Sequence, residues 1–137
     1  MRKQLAAVIT GATMLVTPTL ANAAACVQAD LNGTWQAYMV VVSESGGGWV
    51  RCILDIEGEA IASTSCAAFF GVLTNLPLTN GTAKVSSPAN CTVTTKFKLA
   101  GKLHKMIHGT MTISGDSVNG VGTIQGRGGL IMNMTKM

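Results

Sequence analysis

Cys91-Thr92-Val93-Thr94-Thr95-Lys96-Phe97-Lys98-Leu99 alternates strictly, with Cys91, Val93, Thr95, Phe97 and Leu99 on one face and Thr92, Thr94, Lys96 and Lys98 on the other. A period of two belongs to a pleated strand with one buried and one wet side; a helix would bring together residues three and four apart. The pattern recurs upstream, where Trp35, Ala37, Met39 and Val41 share a face, as do Val50, Cys52, Leu54 and Ile56, with Arg51, Asp55 and Glu57 opposite. Downstream, Leu103 to Ile113, Val118 to Gln125 and Leu130 to Lys136 read as strands, with turns at Ser114-Gly115-Asp116 and Arg127-Gly128-Gly129.

Between these segments the reading is coarser. Ser43 to Gly48 is expected to be a flexible hairpin connection, and Glu59 to Cys66 a weaker strand after a turn at Glu57-Gly58. Ala67 to Leu76 is too short for periodicity to choose between a short helix, a plug and a buried strand. Pro77 and Pro88 bracket a further strand at Thr82 to Ser86. The fold expected is all-β: an antiparallel up-and-down meander of about eight strands, from near Gly33 to near Lys136, forming a closed or half-open barrel. A two-layer sandwich is the alternative, because either arrangement hides one apolar face per strand.

The first residues carry the order of a secretory signal. Arg2 and Lys3 precede an apolar stretch from Leu5 to Val16, and Ala21-Asn22-Ala23 supplies small residues for cleavage. That stretch is shorter than the roughly 20 residues a spanning helix needs. Residues 1–23 are therefore expected to be a cleaved signal peptide, with cleavage after Ala25 as the second choice, and residues 24–137 a single disulfide-bonded domain in the periplasm or outside the cell, with no membrane-spanning segment. Lipidation at Cys26 is disfavoured because Ala23 stands where a branched residue usually precedes a lipidated cysteine.

Cys26, Cys52, Cys66 and Cys91 all lie beyond the cleavage site, and an even number in an exported chain reads as disulfides. Successive meander strands run in opposite directions, so Cys52, early in the second, and Cys66, late in the third, lie at one end. Cys26, before the first strand, and Cys91, opening the fifth, lie at the other if one strand fills the gap between. Cys52–Cys66 and Cys26–Cys91 are the pairs expected; an extra strand at Phe69 would reverse Cys91 and undo the second.

The net charge is +4, unevenly placed: through Asn75, Arg51 alone faces Asp30, Glu44, Asp55, Glu57 and Glu59 in the mature chain, whereas Lys84, Lys96, Lys98, Lys102, Lys105, Arg127 and Lys136 later face only Asp116. A basic face of this kind either keeps the domain soluble or meets an anionic envelope surface.

Asp30-Leu31-Asn32-Gly33-Thr34-Trp35 resembles the G-x-W opening of the first strand in calycins, the lipocalin and avidin group of up-and-down barrels. Together with Trp49-Val50-Arg51-Cys52 and Val118-Asn119-Gly120-Val121-Gly122, it resembles a group of small exported bacterial proteins of unknown function. The resemblance implies a calycin-like barrel. It does not extend to biotin, because the polar constellation of avidins is missing.

Candidate chemistry is sparse. His104 and His108 lie about 13 Å apart on a strand, too far to share one ion, and the alternation of Leu103, Ile107, Met111 and Ile113 leaves both histidines facing solvent. Met132 and Met134 share a face with Leu130 and read as core packing rather than a thioether copper site. No G-x-S-x-G is present, and Asp55 and Glu57 read as the solvated side of a strand rather than a glycosidase pair. Nucleic acid is disfavoured because Phe97 faces away from Lys96 and Lys98.

The expected function is therefore that of an exported, non-catalytic binding protein without cofactor or metal, holding a small apolar ligand in or at the mouth of its barrel. Trp35, Ala37, Met39, Leu54, Phe97 and Met111 are the candidate interior residues, with Ala60, Ala62, Gly120 and Gly122 as small neighbours that leave space. The alternative is an envelope interaction protein with a filled barrel and a basic outer face.

Overall fold

The computed structural model describes residues 25–44 and 46–137, and of residues 63–65 the backbone alone. Residues 1–23, where a signal peptide is expected, lie outside the described residues. Nine strands follow a 3-10 turn at Gln28–Leu31: β1 (Gly33–Ser43), β2 (Gly46–Glu57), β3 (Ala60–Phe69), β4 (Leu73–Asn75), β5 (Leu78–Ser87), β6 (Thr92–Leu99), β7 (Lys102–Met111), β8 (Ser117–Ile124) and β9 (Gly128–Lys136). β4 and β5 both pair antiparallel with β3 and so run the same way; they are one stave broken at Leu76-Pro77, where proline has no N–H to give the ladder. Eight staves thus form a closed antiparallel barrel, sealed where β1 meets β9 and β2 meets β3. Because β4 does not reverse the chain, Cys91 keeps its expected place.

Both disulfides form as the strand directions require, Cys52–Cys66 and Cys26–Cys91. Cys52 and Cys66 are direct cross-strand neighbours. Cys26 and Cys91 close a chain separation of 65 residues, against 14 for the other pair. On loop-closure entropy those separations correspond to about 4 and about 3 kcal/mol of destabilisation of the unfolded chain.

The interior is filled. Trp35, Phe97, Met39, Met106, Met111, Met132 and Met134 are fully buried, with Leu54, Val50, Val93 and Val118 between them. A Cβ on Gly120 would stand 2.5 Å from Met106 Sδ, and one on Gly109 would stand 2.6 Å from Met106 Cε. The space these glycines leave is occupied by the flexible thioether chain of Met106.

Four local expectations are corrected. Gly46-Gly47-Gly48 belongs to β2 rather than to a loop, and Gly48 is needed there because the Phe70 ring lies where its Cβ would stand. Ala60 and Ala62 face outward, since the inward position between them goes to Ile61, which removes more apolar area from water. Residues 67–76 form neither helix nor plug: they are the end of β3, a bend and β4, and Phe69, Phe70, Val72 and Leu73 are exposed. In β7 the ladder shifts by one between Met106 and His108, so Ile107 is an extra residue. The bulge puts His104 and Met106 inward before it and Gly109 and Met111 inward after it. Leu103, Ile107 and Ile113 are left half-exposed or exposed.

Candidate ligand site at the open end of the barrel

The two barrel ends differ in construction. At the end where β1 begins, the 3-10 turn folds across the opening and buries Leu31 completely. Its start is capped by Asp30 Oδ2, which accepts from Val27 N–H at 2.8 Å. Trp35 Nε1 donates to the Leu31 carbonyl at 2.7 Å, and Lys136 Nζ lies 5.4 Å above the indole while donating to the Asp30 carbonyl. Gln28 ties this turn to the β2–β3 connection and to β5, donating to Gly58 O and Ala83 O and accepting from Val85 N–H. Cys26–Cys91 fixes the same turn to the start of β6. This end is closed.

The other end holds a cavity of about 210 Å³. Its buried lining comes from strand ends: Val41 of β1, Ala68 of β3, Leu99 of β6, His104 of β7 and Ile124 of β8. Phe70, Thr74 and Leu76 lean in from the β3–β5 connection, and Lys102 and Arg127 stand at the rim. Among the described residues no 3-10 turn packs over this opening as Gln28–Leu31 does over the other, so the inward apolar residues at these strand ends border the recess.

His104 is the buried polar side chain of the cavity lining. Its ring stacks on Phe97, its register partner, with centroids 5.6 Å apart and planes 9° apart. Nδ1 lies 2.9 Å from the Lys102 carbonyl, and because a carbonyl only accepts, Nδ1 carries the proton. Burial holds the His104 pKa below the ordinary histidine value and the Arg127 charge adds to that lowering, against the bond to Lys102. The ring is therefore neutral near pH 7, with Nε2 as an acceptor. His108 is exposed, on the opposite face of β7 from His104.

Trp35, Ala37, Met39, Leu54, Phe97 and Met111 all point inward and are buried, yet none lines the cavity; they are the packing beneath it. Sequence reasoning missed Phe70, Leu76, Lys102, His104 and Arg127. The signal that would have found His104 is its two-residue spacing from Met106, readable only once the bulge at Ile107 is known. Asp55 accepts from Thr34 Oγ1 at 2.7 Å across the β1–β2 pair, a structural role. Among the described residues no three His, Cys, Asp or Glu side chains gather as a metal site. Comparison with protein families, with curated proteins and with solved structures returned no match.

Proposed function

We propose that this is a non-catalytic binding protein that takes a small apolar ligand at the open end of its barrel, its polar tip toward Lys102, Arg127 and His104. The observation that carries this reading is the cavity itself: a mainly apolar recess of about 210 Å³ above an otherwise filled core. Apolar walls with a few convergent polar groups are the usual composition of a small-molecule site. Drug-sized ligands occupy roughly 300–1,000 Å³, so this ligand is smaller, or leaves part of itself outside. The rim offers two cations and one neutral imidazole, which suits a carboxylate or another acceptor-rich head. The disulfides support export, with the signal peptide as the route.

The filled interior supports a second reading, an envelope interaction protein with no ligand. Native mass spectrometry of protein purified from its own compartment separates the two. The wild type is expected to retain a small molecule that Thr74→Trp, which fills the cavity from its exposed edge, releases. A wild type of bare chain mass, or a variant that retains the same molecule, leaves the second reading.

A further inference from the structure

The chain's charge asymmetry becomes an axial one once the strands are placed. Asp30, Asp55, Glu57, Glu59 and Asp116 all sit at or near the closed end, where Lys84 approaches Glu59 at 3.9 Å and Lys136 covers Trp35. Around the open end stand Lys98, Lys102 and Arg127, with Glu44 as the acid there, while Lys96 and Lys105 lie midway along the wall in a surface hollow they share with Glu59 and Lys84. Lys96 and Lys105 are directly opposed across β6 and β7.

The same end exposes an unusual apolar tip. Phe69-Phe70-Gly71-Val72-Leu73 turns from β3 into β4 with Phe69 40%, Phe70 45%, Val72 72% and Leu73 63% exposed. Trp49 stacks on Phe69 at 5.9 Å and extends the patch onto β2. Phe70 also lines the cavity with Lys102 and Arg127, so tip, cations and recess form one surface. Apolar side chains ringed by lysine and arginine match the acyl boundary and headgroups of an anionic bilayer. The wall itself does not suit a spanning barrel, because its core is apolar and Lys96, Lys98 and Lys105 lie on its outside.

We propose that the open end docks on an anionic lipid bilayer, with the Phe69–Leu73 tip inserted and the Lys102–Arg127 rim on the headgroups, and that the cavity takes its apolar ligand from that bilayer; the second half rests on the ligand reading above. The test is flotation of the oxidised protein with vesicles of phosphatidylcholine alone and with about one third phosphatidylglycerol. Binding is expected only to the mixed vesicles and to weaken as salt rises. Val72→Asp and Lys102→Glu/Arg127→Glu should each lower it at least about tenfold while leaving the melting temperature unchanged. Lys84→Glu at the closed end, and Ile131→Asp on the exposed side wall, should leave it intact. Equal binding to both vesicles, loss in Ile131→Asp with retention in Val72→Asp, or equal capture of wild type and Val72→Asp by dextran sulfate would each overturn the docking proposal. Thr74→Trp separates the two ideas, since it should release the ligand and still float.

Discussion

The closed end of the barrel spends its sequence on fixing structure, and the open end leaves its residues free for contact. Around Trp35 nearly every polar group is committed: the indole N–H to Leu31, Lys136 to Asp30, Gln28 to three backbone partners, Asn32 Oδ1 to Gly58 N–H. Around the recess, apolar side chains face water and the cations Lys102 and Arg127 border an apolar hollow. Fixed structure and exposed apolar surface thus lie at opposite ends of one barrel, joined by a packed methionine-rich core. The lesson is general: a filled barrel still leaves a recess where its staves run past the last packed layer.

That division is best broken by comparing substitutions at the two ends. Trp35→Ala removes the largest buried side chain, its hydrogen bond and the Lys136 contact, and should cost about 3–5 kcal/mol in urea unfolding. A loss near that of the exposed tip variant Val72→Asp, within about 0.5 kcal/mol, would erase the distinction. A smaller effect is expected from pH. The folded-state pKa of His104 is lowered, so below about 6.5 the unfolded chain binds a proton that the folded chain resists. Stability should therefore fall as pH drops from neutrality through that value, and level off below the folded-state pKa. His104→Phe should remove this component of the slope; a slope unchanged in His104→Phe would place its origin elsewhere.

Much of the barrel was legible because its signals are local and periodic. Alternation at residues 35–41, 50–56 and 91–99 gives the faces directly, and strand direction, with a single strand taken to fill the gap before Cys91, pairs the cysteines as found. The recess was not legible, for two physical reasons. One extra residue at Ile107 inverts the faces of β7, so the pattern that exposes His104 on paper buries it in the fold. The run Phe69 to Leu73 carries the composition of a core segment, yet it lies at a chain reversal beyond the last packed layer. Hydropathy reports the type of a side chain and not its height along a barrel. The charge asymmetry was visible as two halves of the chain, but only the strand order turned it into two ends.

The most direct test of binding at the open end is an amide-resolved NMR titration of the oxidised protein with octanoate as the probe. Binding there predicts saturable shifts confined to the cavity lining, at Ala68, Leu99, His104 and Ile124 and in the Phe70–Leu76 connection, with Leu31, Trp35 and Val118 unmoved. Shifts centred on the closed end or spread along the outer walls, the same saturable shifts in the recess-filled Thr74→Trp variant, or no shifts in the wild type would contradict it.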